Sequence, residues 1–368
     1  MTRQKHYLTL LLSFLVLCAP AIAQESDKPS IRSLLEMLES PDPSTRVRAV
    51  CAIEQSDELA QNRDAVADAM QRHLSDDGAA DPTVCDKYRS WGNWSDGRRR
   101  PLRVGRQAAG VLAELHDRYS IDAPTIFRRA IQGQDNVARA NGAWGLGAID
   151  DESGIPLLVN VVRTDSFPRA RRDAVWSLGA IGSEKGLAGV EAGLADAEED
   201  VREQAAWAAG AIGADGSGKL VLPLLKDDDA AVREQAAWAL GAIDDAFGSA
   251  ELQDALRDTE ASVREQAAWA LGAKDADDAI AALLAAMKDP SDDVREQCAW
   301  ALGAIGNKSA VKGLITALDD GNDNVREQVA WALGAIGDGS AEDALMARLK
   351  DPSPDVRKQV AWALSAIL

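Results

Sequence analysis

The stretch VREQCAWALGAIG, residues 294–306, is one of six near-copies set at a constant interval in the C-terminal half of the chain. VREQAAW begins at Val201, Val232 and Val263, VREQCAW at Val294, VREQVAW at Val325 and VRKQVAW at Val356, a step of 31 residues each time. Self-similarity at a fixed period of about 20 to 50 residues means a stacked array of one supersecondary unit. The arginine of the motif runs further back, as Arg139, Arg171, Arg202, Arg233, Arg264, Arg295, Arg326 and Arg357. The tryptophan five places later runs in parallel, from Trp144 and Trp176 through Trp207, Trp238, Trp269, Trp300 and Trp331 to Trp362. Two degenerate copies upstream, TRVRAVCAIEQ (45–55) and LRVGRQAAGVLAEL (102–115), bring the number of units to ten.

Each unit reads as two helices. The second places Val201, Ala205, Ala208 and Ile212 on one stripe at helical spacing. The first, as in SAVKGLITALDD (309–320) or DADDAIAALLAAMKD (275–289), is less constant but still amphipathic. Turns such as DPSDD, DGNDN and DPSPD supply N-caps, and Gly182, Gly213, Gly306 and Gly337 stand where a helix ends in a left-handed residue. One such pair cannot stand alone. Ordering it costs roughly 1–2 kcal/mol per residue in backbone entropy, and each buried aliphatic returns only about 1.5–3 kcal/mol. Stacking supplies the missing burial, so the expected fold is an all-α solenoid of about ten two-helix repeats. With helix layers about 8–10 Å apart, it would be a curved rod on the order of 90 Å long.

The pattern D-x(4)-V-R-x-x-A-x-x-A-L-G-x-I-G resembles HEAT repeats, specifically the short phycobilin-lyase type, over essentially the whole chain after the leader. The resemblance implies a structural ladder between a turn aspartate and a helix arginine of neighbouring repeats. The matching aspartates are Asp165, Asp196, Asp227, Asp258, Asp289, Asp320 and Asp351, each five places before the valine position.

On a helical wheel at 100° per residue, Arg202 falls on one flank of the second helix, with Gln204 and Trp207 toward the other. Glu203, Ala206 and Gly210 point away from the core. Glu203, Glu234, Glu265, Glu296 and Glu327 would then form an acidic line along the concave side, smoothed by the small residues beside it. Gly210 in mid-helix costs about 1 kcal/mol relative to Ala, which implies close approach by a neighbouring helix or by a ligand. The tryptophans read either as inter-repeat packing, through cation–π contact with an arginine such as Arg233 or Arg171, or as a surface for stacking a ligand such as a carbohydrate. Packing accounts for the constant Val, Ala, Leu and Ile of the second helix. It leaves the constant Glu and Gln to a binding face or to a correction mechanism that copies short DNA tracts.

Residues 78–100 interrupt the second repeat with an insertion that carries Tyr88, Trp91, Trp94, Arg98, Arg99 and Arg100. Loops on rigid scaffolds often carry function, and aromatic residues with arginine are the composition of interface hot spots. The alternative is a decorated loop without a partner. Residues 1–23 have a basic start, a short apolar run and Ala21-Ile22-Ala23, the pattern of a secretory signal peptide, which leaves 24–368 as the exported repeat array in the periplasm or outside the cell. Leu17 before Cys18 does not fit a lipid-attachment site, and no later segment has the roughly 20 apolar residues of a membrane helix. Cys51, Cys85 and Cys298 remain; Cys51 and Cys298 stand where other repeats carry alanine and read as buried thiols, with a Cys51–Cys85 bridge open in an oxidising compartment.

The net charge is −19, unevenly spread: residues 98–172 hold 13 Arg/Lys against 8 Asp/Glu, and residues 173–368 hold 17 against 36. This excludes nucleic acid as partner for most of the surface. It fits solubility of a long rod as well as an acidic binding face.

Enzymatic signatures are sparse. GADGSGKL (213–220) has phosphate-loop spacing, but Leu220 stands where Ser or Thr would hold magnesium, and a helix precedes it. After the leader only His73 and His116 remain; they are followed by Leu74 and Asp117 rather than the Glu of the His-Glu pairs that hold iron in the HEAT-like deoxyhypusine hydroxylase. Acidic turns such as DDGNDN lack the full calcium-loop signature. No catalytic residue, metal ligand or cofactor is assigned. The expected function is an exported scaffold binding a protein partner on its concave acidic face; the alternative is a HEAT-like enzyme or enzyme subunit, of lyase or oxidoreductase type, acting on a small molecule or cofactor. Lys358 and Ser365 stand for the usual Glu and Gly in the last repeat, a partial cap, and a homodimer through that end is expected.

Overall fold

The computed structural model describes residues 28–85 and 101–367. Residues 1–23, read from the sequence as a signal peptide, therefore lie outside the described residues. Ten helix pairs follow one another: α1 (Ile31–Met37) with α2 (Pro43–Glu54), α3 (Leu59–His73) with α4 (Val104–Tyr119), α5 (Ala123–Ile131) with α6 (Asn136–Ala148), α7 (Ile155–Thr164) with α8 (Pro168–Ile181), and α9 (Leu187–Leu194) with α10 (Glu199–Ile212). In the sixth pair the first member is one turn, α11 (Gly218–Val221), continued by a 3₁₀ segment, and α12 (Ala230–Ala242) is the second. The last four pairs are α13 (Ser249–Ala255) with α14 (Ala261–Ala273), α15 (Ile280–Ala286) with α16 (Asp292–Ile305), α17 (Val311–Ala317) with α18 (Asp323–Ile336), and α19 (Glu342–Arg348) with α20 (Pro354–Ile367). The expected solenoid is thus the observed fold. Among the described residues no helix is long and apolar enough to cross a membrane.

The turn chemistry sets the helix ends. Asp42, Asp135, Asp229 and Asn322 cap α2, α6, α12 and α18 by accepting backbone N–H groups of the first turn. Gly182, Gly213, Gly306 and Gly337 end α8, α10, α16 and α18 with φ of 61–68°, where a side chain would be strained. The variable first helices keep one leucine per repeat in the core: Leu252, Leu283, Leu314 and Leu345, each fully buried and 31 residues apart.

Two ladders join the repeats. In the first, each arginine of a second helix grips the turn aspartate of the next repeat through two hydrogen bonds. Arg233 Nε and Nη2 donate to Asp258 Oδ2 and Oδ1 at 2.8 and 2.9 Å, and Arg264 to Asp289 at 2.7 and 2.8 Å. The same pairing links Arg139 to Asp165, Arg171 to Asp196, Arg202 to Asp227, Arg295 to Asp320 and Arg326 to Asp351. Nη1 of Arg233 also donates to the carbonyl of Asp227 in its own repeat, 2.9 Å away. One guanidinium thus clamps two successive turns with bidentate, charge-assisted bonds. The ladder is interrupted at α4, where Gly105 holds the arginine position and a Cβ would come within 2.7 Å of the Leu74 carbonyl oxygen.

The second ladder is steric. Successive second helices approach so closely that a Cβ on Gly241 would stand 2.7 Å from the Cα of Ala270 and 2.7 Å from the ring of Trp269. Gly179, Gly210, Gly272, Gly303 and Gly334 meet the following repeat's tryptophan and alanine in the same way. The neighbouring helix, rather than a ligand, therefore accounts for the mid-helix glycine. The guanidinium groups of Arg171 and Arg233 are directed to aspartates, so the tryptophan flank meets glycine where an arginine is expected.

Asp227, Asp320 and Asp351 are held below the ordinary carboxylate range, first by their arginine hydrogen bonds. A carboxyl depressed in this way contributes stability that is complete above its unfolded value near 3.9 and lost as pH falls through the lower folded value. The urea midpoint is expected to be level from pH 7 to 5 and to fall steeply below about pH 4, read by circular dichroism. Gly241→Ala, which at an open mid-helix site would gain about 1 kcal/mol, is expected instead to lower the melting temperature by about 2 °C or more through overpacking.

Candidate functional site

Each second helix is covered on three sides, by its own first helix and by the second helices before and after it. Ala206 and Gly210, expected on the outward face, are buried for this reason, as are Ala237 and Ala268. The face left open is rotated from the expected one. It carries the exposed Ala211, Ala242, Ala273, Ala304 and Ala335, flanked by half-buried Gln and Trp of each repeat and edged by half-buried Glu203, Glu234, Glu265, Glu296 and Glu327. The tryptophans thus serve packing on one ring face and line the open strip with the other edge.

The glutamates are brought into mutual reach. Burial pushes the carboxyl of Glu265 above the ordinary range, and the charges of Asp293, Glu234 and Glu296 add to it; Glu296 is pushed up by burial, then by Asp293 and Glu327. The contrast with the ladder is sharp. There the arginines are shifted up by their hydrogen-bonded aspartates, as in Arg233 and Arg264, so each group is held in its charged form. At Glu265 and Glu296 the strip holds like charges against one another at a cost to folding.

At the N-terminal end of the same layer lies a basic cluster that the sequence reading did not assign. Arg106 of α4 ion-pairs with Asp173 of α8 and lies over the ring of Trp144 at 4.7 Å, and Trp144 stacks on Trp176 with centroids 5.7 Å apart. Arg172 approaches the same Asp173 at 3.3 Å, while Arg169 and Arg103 converge on Asp77 at 2.7 and 2.8 Å. Arg106 reaches past α6 because the equivalent position there is the small Ala140. The signal was available: Arg106 and Arg172 follow Val104 and Ala170 by two places, as Glu203 follows Val201.

The insertion leaves and re-enters the array through a narrow neck. Ala79–Ala80 pairs antiparallel with Leu102–Arg103, and Cys51 is disulfide-bonded to Cys85, the bridge left open by the sequence. Tyr88, Trp91, Trp94, Arg98, Arg99 and Arg100 lie outside the described residues. Cys298 is a buried free thiol. In the glycine-rich stretch 213–220, the Gly218 N–H donates to the carboxylate of Asp245 at 3.0 Å, which puts a negative charge where a phosphate would sit. Among the described residues no group of three or more His, Cys, Asp and Glu side chains is placed to hold a metal ion. The last pair leaves Met346, Leu349 and Trp362 exposed.

A family profile for HEAT repeats matches residues 123–210, 187–260, 249–324 and 311–367. The chain belongs to the HEAT-repeat family. No curated protein matches it. Among solved structures this HEAT array is similar to an engineered protein, at 21% identity over 92% of this chain and 98% of that one, with a TM-score of 0.51. It is also similar to importin β, at 16% identity, with 91% of this chain covered and a TM-score of 0.60, and to a structure of Kap95p with RanGDP, at 15% identity, 92% and 0.56. The chain spans 50% of the matched chain in each of these last two. At such identities the likeness shows the fold alone.

A carboxyl whose folded value lies above its unfolded one costs stability once ionised. Glu296→Gln is therefore expected to raise the urea midpoint at pH 7, with the gain shrinking toward pH 4, where both states carry a protonated carboxyl.

Proposed function

We propose that this HEAT array is an exported scaffold that binds a protein partner along the strip of second helices, with Glu203, Glu234, Glu265, Glu296 and Glu327 as its charged contacts and the 78–100 insertion adding to them. The observation that carries this reading is the line of half-buried glutamates, kept in every repeat from the fifth to the ninth although Glu265 and Glu296 are held in it against like charges. The ladders account for the arginine, tryptophan, glycine and turn aspartate of the motif. They give no use to the glutamate. A basic side chain laid on the strip would relieve the repulsion and form a partly exposed ion pair, a contact of about 0.2–1 kcal/mol. Each contact is small, but five at a regular spacing add along one extended segment.

Export is supported by the leader-like residues 1–23 and by the Cys51–Cys85 bond, which suits an oxidising compartment. The small-molecule alternative has less support: among the described residues, the concavities beside Gln253 and Ala282 and beside Pro156 and Val159 are open grooves between first helices.

Capture from a native envelope fraction tests the proposal. Protein recovered there should begin at Gln24 and retain a partner that is lost when the five glutamates are changed to lysine and whose binding weakens as salt rises from 50 to 500 mM. A partner held equally by both forms would move the site to the insertion. Recovery of the chain itself would point to self-association through Met346, Leu349 and Trp362.

A further inference from the structure

The position two places after the valine of each second helix changes sign along the array. It is Arg106 in α4, Ala140 in α6 and Arg172 in α8, then glutamate from Glu203 in α10 to Glu327 in α18, and Lys358 in α20. These helices lie side by side in one continuous layer, so the reversal is laid out in space in the same order. At the N-terminal end of the strip the charge is positive. Four arginines, Arg103, Arg106, Arg169 and Arg172, converge on two carboxylates, Asp77 and Asp173. A further carboxylate, Asp200, stands 3.6 Å from Arg172 and is largely exposed to solvent. Burial, together with the charges of Arg169 and Arg172, pushes Arg106 down to about 10 against the pull of Asp173. Four arginines meet three carboxylates at one end of the strip, and Glu265 and Glu296 face like charges toward the other, so the two ends carry charge of opposite sign.

We infer that the strip reads an extended polypeptide segment of reversed polarity, acidic where it crosses Arg106 and Arg172 and basic where it runs over the glutamates. The inference rests on the proposed partner-binding role of the strip. A uniformly basic segment long enough to cover the layer would be repelled at the α4–α8 end, and a uniformly acidic one over α10–α18. The stacked Trp144 and Trp176 mark the acidic side of the crossover, because Arg172 and Glu203 are one repeat apart. With second helices about 8–10 Å apart and an extended chain rising about 3.3 Å per residue, one repeat corresponds to about three residues of partner. The sign change in the partner must then be completed within about three residues. About six residues would face the arginine end and about twelve the glutamates.

The test uses the full mature chain and three fluorescein-labelled peptides of one composition, about 18 residues long, with charged residues alternating with serine. Two carry a Glu block followed or preceded by a Lys block, and the third has the same residues interspersed. Fluorescence anisotropy at 50 mM salt should show one block orientation binding at least about tenfold more tightly than the interspersed peptide. Arg172→Glu should remove most of that preference, while Lys185→Glu, on the first-helix side, should leave it intact; circular dichroism checks that both variants are folded. Equal binding of block and interspersed peptides overturns the reversed polarity and leaves the partner-binding role standing. A block preference that persists undiminished in Arg172→Glu overturns it as well. If none of the three binds above the level seen with the five-glutamate-to-lysine variant, both readings fall together.

Discussion

The structure depends on how closely one second helix can approach the next. Glycine at positions such as Gly241 and Gly272 lets the following helix come near enough for its alanine Cα to sit where a Cβ would be, and the following tryptophan covers the gap. Close packing of this kind is what a thirty-residue helix pair lacks on its own. The arginine ladder then fixes how far each repeat can slide or tilt, because a bidentate guanidinium–carboxylate pair tolerates little change of angle. Each arginine also holds the carbonyl of its own turn, so the clamp spans the joint between repeats instead of decorating it.

With those two ladders accounted for, the motif divides by its energetics. Val201, Ala205, Gly210, Arg202 and Asp227 are all satisfied within the array, and the charged members are held ionised by one another. Glu265, Glu296 and Arg106 are instead held against like charges. A fold that gains from one set of charges and loses from another separates the residues that build it from those that face outward to something else. This reading does not rest on the likeness to importin β, which establishes architecture only.

The ladder was legible through the resemblance to HEAT repeats, which implies an arginine–aspartate link between neighbouring repeats, and the structure pairs Arg233 with Asp258. The open face was not. A wheel drawn for one helix against one partner puts Ala206 and Gly210 in solvent, whereas the helix is covered on two further sides by its own kind, which turns the exposed stripe toward Gln204, Trp207 and Ala211. The basic cluster was harder still. Arg106 and Asp173 are 67 residues apart, on helices separated by another, and meet only because Ala140 leaves room between them.

By itself the sequence determined the architecture, the number of repeats, the helix ends and the joints between neighbours, because each of these is a local event repeated at a constant period. Tertiary structure decided which edge of the second helix faces water, the closing of the Cys51–Cys85 bond, and the meeting of four arginines around two aspartates. These depend on contacts made by several helices at once, and a periodicity reports only the contact that every repeat shares.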